Sequence, residues 1–407
     1  MALRCDRPER GATLRGADGL IRQWTDPLEA LTWLGEQCNE PPDPSGPPFK
    51  GGWVGYIGYD AGRLFESLPS NGIDDLDVPL FEFFHHDSVD ADDGTGRLFA
   101  VDVVGGRLPP INLPDAPSSG SDAPLSSHFT EASYRQAVRR VIDYIRAGDV
   151  FQVNLSQRFT VGLGHRQPAE IYRRLLEHHP AWYGASLQCG SYALLCNSPE
   201  LFLRVRSTDV GRQVVTRPIK GTRPTQAGMD AVLEQSIKDQ AELNMIVDLE
   251  RNDLGRVCRI GSIAVTEPRV IEAHPTVYHG AATIQGILRA GIGLVDLLRA
   301  TFPGGSVTGA PKIRAMQIID ELEPVQRGPY CGAIGYLSLD GNLEFNIAIR
   351  TMIVERGRVH IPVGGGIVAD SDPQAEYQET LVKAQAMFAA LGIGAAGKPC
   401  DKKDTIP

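Results

Sequence analysis

The sequence contains neither a long apolar run nor a closely spaced pair of cysteines. No apolar stretch approaches the roughly 20 residues that span a bilayer, and the first six residues do not resemble a signal peptide. We therefore expect a cytoplasmic protein with no membrane partner. The seven cysteines are scattered without a C-x-x-C pair, so neither a zinc site nor a redox motif is indicated. We interpret most of them as buried, reduced thiols.

An excess of basic residues is also missing. The net charge is -10, and charges of both signs are interspersed along the chain. The broad basic surface that a phosphate backbone requires is not evident, so we expect no nucleic-acid partner. With 42% hydrophobic and 22% charged residues among 407, the composition is that of a globular protein large enough to enclose one extended core or two.

Residues 107–128 are so rich in Pro, Ser, Gly and Asp that we predict a flexible linker. The linker separates an N-terminal sheet region at 1–106 from a larger region at 129–395, and residues 396–407 are predicted to form a disordered tail. After the linker, Thr130 caps a predicted helix at 131–147. From Phe151 to Phe159 apolar and polar residues alternate, which predicts a half-buried strand with an unusually polar face.

The remaining pattern is a mixture of strands and helices in unequal runs. This mixture favours an α+β architecture over a doubly wound sheet. Further strands are predicted at 191–197, 201–206, 213–219, 332–339, 345–353 and 358–363, and further helices near 168–178, 227–249, 294–301, 311–322 and 374–391.

Two of the predicted helices carry a pair of acids on an otherwise apolar stripe. Asp239 and Glu242 share a stripe with apolar residues, and Glu376 and Glu379 repeat the arrangement. Facing each other, the two helices would offer hard oxygen ligands to Mg²⁺. The alternative is that these acids pair with Lys238, Lys383 or nearby arginines, or lie at a solvated edge.

Glycine-rich segments could bring backbone N–H groups to an anion. They lie at 51–58, 302–312 and 364–366, and the second lacks the lysine of a nucleotide-binding phosphate loop because Ala310 stands in its place. For Gly364 to Gly366 a bulge or tight turn is an equal alternative.

Three charged residues and one histidine are ambiguous when taken singly. Glu200 follows a proline between two strands and could be a buried general acid. Lys220 ends a predicted strand and would be nucleophilic only if desolvation kept it neutral. Arg350 could be a carboxylate fork or a solvated residue, and His279 could be structural.

Together these segments resemble the chorismate-utilising enzymes, a family that includes anthranilate, aminodeoxychorismate, isochorismate and salicylate synthases. The resemblance runs from about residue 50 to 392, with its most specific stretches at 198–200, 218–222, 246–256, 302–312, 348–351 and 364–379. It implies two large antiparallel sheets packed together with helices outside, and it makes 129–395 the chorismate-binding catalytic region.

The resemblance also implies roles for particular residues. It implies Mg²⁺ at the positions of Glu242 and Glu376, with Asp239 and Glu379 close behind. It implies that the substrate chorismate is bound by Arg350, Tyr336, Gly364, Gly365, Gly366, His279 and Ser306.

Two positions discriminate among branches of the family. Isochorismate and salicylate synthases have a lysine at the position of Gln152 and typically alanine at the position of Lys220, and anthranilate synthases usually also have alanine there. Lys220 is therefore similar to the aminodeoxychorismate synthase branch. That branch implies a Lys220 nucleophile, a Glu200 general acid, and ammonia from a glutamine amidotransferase subunit, in p-aminobenzoate and folate synthesis.

Some features depart from the family pattern and leave alternatives open. The segment at 51–56 lies closer to the start than in relatives, and no tryptophan-binding element is evident, so we expect either a truncated start or the absence of that site. Anthranilate synthase component I is the alternative activity, and a non-catalytic partner of an amidotransferase is the alternative of another class.

Overall fold

Two large antiparallel sheets contain most of the strands of the computed structural model, which describes residues 1–38, 40–41, 47–92, 98–102 and 124–393. The strands are β1 Ala2–Cys5, β2 Ala12–Gly16, β3 Gly19–Trp24, β4 Gly52–Ile57, β5 Phe81–His86, β6 Ser88–Asp92, β7 Leu98–Asp102, β8 Ser126–Ser127, β9 Gln152–Gly162, β10 Tyr183–Gln188, β11 Tyr192–Ser198, β12 Leu201–Thr208, β13 Gly211–Arg217, β14 Ile219–Pro224, β15 Ala264–Ala273, β16 Val277–Ile287, β17 Gly309–Ala310, β18 Ala333–Ser338, β19 Leu343–Ile347, β20 Thr351–Glu355 and β21 Arg358–Ile367.

Eight α-helices occur within the described ranges. They are α1 Pro27–Glu36, α2 Glu131–Arg146, α3 Pro168–His178, α4 Met229–Glu234, α5 Ile237–Gly255, α6 Leu294–Thr301, α7 Lys312–Leu322 and α8 Pro373–Ala390. In this part of the chain no helix is both long and apolar enough to cross a membrane.

The larger sheet has twelve strands in the order β14-β16-β13-β12-β19-β18-β4-β5-β1-β2-β3, with β15 beside β16. Strands from the first hundred residues therefore continue a sheet built from much later ones. The smaller sheet has seven strands in the order β10-β11-β20-β21-β9-β17, with β8 beside β9. The predicted α+β fold with two large antiparallel sheets is confirmed.

The two sheets share a core. Trp53, Phe83 and Phe345 of the twelve-stranded sheet belong to the same buried cluster as Val153 and Leu155 of β9. The inward-facing apolar positions alternate along these strands, as expected when one face of each sheet packs against the other layer.

Several helices and strands lie where the sequence predicted them. Helix α2 begins after Thr130, whose hydroxyl accepts from the Ser133 amide while the Ser133 hydroxyl accepts from the Thr130 amide. Gly148 follows the helix with φ +84°, a conformation that suits glycine at a helix end. Residues 107–123 of the predicted linker lie outside the described residues, and so does the predicted tail at 396–407. The domain limits therefore stay a prediction.

Three local predictions were wrong. Strand β9 is not half-buried: its polar residues, such as Gln152 and Ser156, are buried too, because α2 and α7 pack against a strand that has neighbours on both sides. The single strand predicted at 345–353 is two strands in different sheets, β19 and β20. The single helix predicted at 227–249 is interrupted between α4 and α5, where Ser236 caps the second helix.

A buried ion pair connects the layers next to the shared core. The Arg327 guanidinium donates to both carboxylate oxygens of Glu323, at 2.6 and 2.9 Å. It also donates to the carbonyl oxygens of Asn154 in β9, at 2.7 Å, and of Val307, at 2.9 Å. The Ser156 amide donates to Glu323 at 2.8 Å. Two charges that are almost fully buried are thus satisfied by each other and by backbone groups from separate segments.

We expect Arg327→Met to lower the free energy of unfolding by about 3–5 kcal/mol, because it leaves the Glu323 carboxylate buried without its partner. Adding Glu323→Gln should recover part of the loss. Urea unfolding followed by circular dichroism measures both effects. Arg173→Ala, which breaks an exposed ion pair with Glu177, is the matched control and should change stability by less than about 1 kcal/mol. Equal losses for the two arginines would contradict the expectation.

Candidate active site

Glu200 lies in the tight connection between β11 and β12. The Ser198 hydroxyl donates to the Ile347 carbonyl oxygen at 2.6 Å, and the Glu200 amide donates to the Ser198 hydroxyl at 3.2 Å. The Ile219 amide donates to Glu200 Oε1 at 3.4 Å. The connection therefore fixes the Glu200 side chain in a buried position, as the sequence suggested for a general acid.

Lys220 lies at an irregularity of the sheet. It is the second residue of β14 rather than the end of a strand, so that prediction was wrong. Ile219 pairs with Ala281 and Thr222 with His279, so Lys220 and Gly221 together stand opposite one residue of β16. Such a bulge re-aims side chains. Gly221 has φ +81°, and a Cβ there would lie 2.7 Å from Leu233, so the bulge needs glycine.

The bulge places the Lys220 amine in a partly desolvated, charged environment. Its Nζ donates to the Ser306 carbonyl oxygen at 3.2 Å. Burial lowers the pKa of Lys220, and the carboxylates of Glu242 and Glu200 oppose that change. Burial likewise raises the pKa of Glu200, opposed by Ser306 and Lys220. Both shifts favour a neutral amine beside a protonated carboxyl.

The four predicted metal-binding acids lie on α5 and α8 near Lys220. Burial raises the pKa of Glu242, with Lys220 opposing, and also raises the pKa of Glu376. Asp239 accepts from Arg223 at 2.7 Å, and Glu379 pairs with Lys383 at 2.7 Å. Lys238 Nζ also lies 3.9 Å from Glu242 Oε1. Pairing with cations, one of the alternatives considered for these acids, is therefore realised for Asp239, Glu242 and Glu379.

The donor set at these acids suits Mg²⁺. No group of three or more His, Cys, Asp or Glu residues within the described ranges is arranged to hold a metal ion. Mg²⁺ is commonly held by only one or two protein carboxylates together with water and substrate oxygens, and Glu242 and Glu376 meet that requirement. A Cβ at Gly365 would lie 3.4 Å from Glu376 Oε2 and 3.6 Å from Glu379 Oε1, so glycine leaves the space before these acids open.

The three glycines at 364–366 belong to a regular strand. They continue β21 and pair with Ser156, Leu155 and Asn154 of β9, so the alternative of a bulge or turn was wrong. A Cβ at Gly366 would lie 2.9 Å from Gln152 Nε2. The Gln152 side chain is fully buried, and neither of its amide atoms has a hydrogen-bond partner within the described ranges. A buried amide without a partner is uncommon in a protein core and is available to a water molecule or a ligand.

Arg350 lies in the connection between β19 and β20 with φ +49°, so strand alternation does not apply to it. No carboxylate of the described residues lies within ion-pair distance of its guanidinium. Burial lowers the pKa of Arg350, and Glu200 opposes that change. A partly buried guanidinium without an ion-pair partner can receive a carboxylate ligand.

His279 is held by Thr222, whose hydroxyl lies 2.9 Å from Nδ1. Its Nε2 is buried without a partner among the described residues. Burial, with a contribution from Arg350, lowers the pKa of His279 to about 3. The ring is therefore neutral at physiological pH, with one nitrogen left for a ligand.

Of two further residues predicted to bind the substrate, Ser306 lies in the site and Tyr336 does not. Ser306 joins the site: its carbonyl oxygen accepts from Lys220, and its buried hydroxyl lies close enough to Glu200 to oppose the rise in the pKa of that carboxyl. Tyr336 is held elsewhere, because its hydroxyl accepts from Arg206 at 2.6 Å and its ring packs on Phe49 at 5.0 Å. The structure does not bring Tyr336 together with the other candidates.

Sequence reasoning missed a buried carboxyl behind the site. Glu250 of α5 is 8% exposed and accepts from the Thr216 hydroxyl at 2.9 Å. Burial and the nearby Glu200 raise the pKa of Glu250 to about 8. Its spacing from Ile246 on the apolar stripe of α5 was the available signal. His274 was missed too, since it lies in a strand connection without regular spacing.

A protein-family model described as chorismate binding enzyme matches residues 13–389. The chain therefore belongs to the chorismate binding enzyme family, and the sequence-based prediction of an enzyme of this family is confirmed. The four acids, Lys220, Glu200 and Arg350 lie within the matched range.

Relatives with two different names are similar to this chain. It is 40% identical over 398 residues to anthranilate synthase component 1 of Thermus thermophilus, covering 91% of this chain and 84% of the relative. It is 41% identical over 384 residues to aminodeoxychorismate synthase component 1 of Klebsiella aerogenes, with the same coverage. The crystal structure of anthranilate synthase component I from Streptococcus pneumoniae superposes with a TM-score of 0.81 at 32% identity, covering 95% of this chain and 89% of the other. Similarity alone does not separate the two names.

We expect Glu250→Gln to stabilise the protein at pH 8 and to leave its stability unchanged near pH 4. The folded state holds a proton on Glu250 up to about pH 8, whereas an unfolded glutamate loses it near pH 4. The wild type therefore loses up to about 5 kcal/mol as pH rises between these values, since each unit of pKa difference corresponds to about 1.4 kcal/mol. Thermal unfolding at both pH values measures the effect. The exposed Glu234→Gln should show no such difference, and a variant that is no more stable at pH 8 would contradict the assignment.

Proposed function

We propose that this enzyme replaces the 4-hydroxyl of chorismate by an amino group, forming 4-amino-4-deoxychorismate. The observation that carries the proposal is Lys220, which lies in a bulge of β14, donates to the Ser306 carbonyl oxygen and has its pKa lowered by burial. A lysine at this position distinguishes, by resemblance, the aminodeoxychorismate branch from the other branches of the family. The two relatives are almost equally similar to this chain in sequence. The choice between their two reactions therefore rests on the residues of the site.

Lys220 acts as the nucleophile. Its neutral amine attacks ring carbon 2, the two conjugated double bonds of the ring both shift by one position, and the bond between carbon 4 and its hydroxyl breaks. Glu200 donates its proton to the departing oxygen, which leaves as water. Burial favours the required form of both groups, the free amine and the protonated carboxyl.

Ammonia completes the exchange. It adds at carbon 4, the two double bonds shift back, and the bond between carbon 2 and Lys220 breaks, releasing the neutral amine. The new ammonium group on carbon 4 then gives one proton to Glu200, which restores the carboxyl group. One difficult substitution is thus divided into two steps without an oxidant or reductant.

Two anchors orient the substrate dianion. Mg²⁺, when bound by Glu242 and Glu376, supplies a positive charge for the ring carboxylate. Arg350 and the N–H groups of Gly365 and Gly366 hold the enolpyruvyl carboxylate, and His279 and Ser306 lie by the ring. Fixing both carboxylates places carbon 2 before the Lys220 amine.

The ammonia comes from a partner. Relatives are named component 1, which implies a second subunit, and we propose a glutamine amidotransferase. We further propose a cytoplasmic location and a place in p-aminobenzoate and folate synthesis.

Product identification tests the proposal. Purified protein supplied with chorismate, Mg²⁺ and ammonium should form 4-amino-4-deoxychorismate, detected by mass spectrometry. Fluorescent anthranilate as the main product would instead establish the reaction named for the Thermus thermophilus relative.

The Lys220→Ala variant tests the nucleophile. Without ammonium, the wild type should gain a covalent adduct of chorismate minus water in its intact mass, and the variant should not. Loss of covalent catalysis should lower kcat by roughly 10²–10⁴-fold. An unchanged rate together with an unchanged adduct would remove lysine from the mechanism.

The Glu242→Gln variant tests the metal site. Loss of one carboxylate ligand should raise the Mg²⁺ concentration for half-maximal activity by roughly 10–100-fold. A metal titration of the initial rate measures this. The matched control is Glu234→Gln, on the exposed face of α4, which should titrate like the wild type. A wild-type titration for Glu242→Gln would contradict the site.

A further inference from the structure

A second histidine stands beside His279 and has no role in the reaction proposed above. His274 lies in the connection between β15 and β16 and is 7% exposed. Its ring centroid is 5.0 Å from that of His279, with an interplanar angle of 67°. The two imidazoles form a packed pair at the end of the strand that also borders Lys220.

The outer nitrogens of both rings are unused. His274 Nε2 and His279 Nε2 are buried and lack a hydrogen-bond partner within the described ranges. The nearest acid, Glu272, has its Oε2 3.9 Å from His274 Nε2, which is too long for a hydrogen bond. Glu272 is instead held by Arg217. Two orphaned buried nitrogens side by side carry a desolvation cost that a ligand would relieve.

The charges around the pair favour an anionic ligand. Burial lowers the pKa of both rings; Arg350, which lacks an ion-pair partner in the described structure, acts in the same direction on each, and Glu272 opposes the change at His274. Both imidazoles therefore stay neutral and can each present one ring nitrogen while Arg350 supplies the charge.

An exposed aromatic residue covers the outer side of the pair. Trp182 is 60% exposed, and its ring centroid lies 4.9 Å from that of His274. Trp182, His274 and His279 thus form a continuous row of ring contacts.

We propose that His274 is a substrate-binding residue whose Nε2–H, next to His279, donates to the enolpyruvyl carboxylate of chorismate held by Arg350, with Trp182 shielding this contact from water. This inference rests on the proposed use of chorismate by this site and adds a residue to it. His274 positions the substrate and takes no part in bond breaking, so it acts on substrate affinity more than on turnover.

Substitution of His274 tests the inference. His274→Phe keeps the ring that packs on Trp182 and removes the nitrogen, so KM for chorismate should rise about tenfold while kcat changes by less than about threefold. His274→Gln places an amide nitrogen near the position of Nε2 and should restore most of the affinity. His165→Phe, at an exposed position, is the matched control.

A binding measurement separates this inference from the proposed function. Chorismate titrated into the wild type with Mg²⁺ and without ammonium should change the fluorescence of Trp182, and Trp182→Phe should remove that change. If the wild type does not bind chorismate, the proposed function fails. If it binds and His274→Phe binds equally well, the inference about His274 is overturned. Equal loss of affinity in the Phe and Gln variants with a lowered melting temperature would also overturn it, by showing a structural role.

Discussion

The buried ion pair of Arg327 and Glu323 is the constraint on which the rest of the structure depends. Its guanidinium contacts β9 of the smaller sheet and the carbonyl of Val307, and packs over the Tyr59 ring, which follows β4 of the larger sheet, at 4.5 Å. Desolvating two charges is costly unless every hydrogen-bonding position is filled. Because backbone groups from separate segments fill those positions, the pair determines how the segments meet.

The same ion pair is connected to Lys220 through two neighbouring backbone carbonyl groups. Val307 is held by Arg327, and its neighbour Ser306 provides the carbonyl that accepts from Lys220. The other side of the lysine is set by the bulge at Gly221, which depends on a positive φ. The Ser306 carbonyl and the bulge at Gly221 therefore both restrict the flexible side chain of Lys220. Such support orients the amine and keeps it away from water.

The acids of α5 and α8 balance this desolvation. Burial lowers the pKa of Lys220, while Glu242 and Glu200 favour its charged form. Nearby cations pair with three of the acids, since Arg223 lies beside Asp239, Lys238 beside Glu242 and Lys383 beside Glu379. Arg350, by contrast, has no ion-pair partner among the described residues. The site thus combines a cluster of paired carboxylates with one uncompensated guanidinium.

The sequence by itself determined the local elements and the chemical inventory. Thr130 and Gly148 bound α2 because capping acts within a few residues, and the paired acids could be assigned to helical stripes for the same reason. Resemblance to family motifs identified Lys220, Glu200 and Arg350 as candidate site residues, but it did not show their positions in three dimensions. Tertiary structure alone decided that polar β9 is buried, that residues 345–353 divide between two sheets, that Tyr336 stands apart and that His274 joins His279. Those outcomes depend on contacts between segments far apart in the chain, where packing and desolvation outweigh the local pattern.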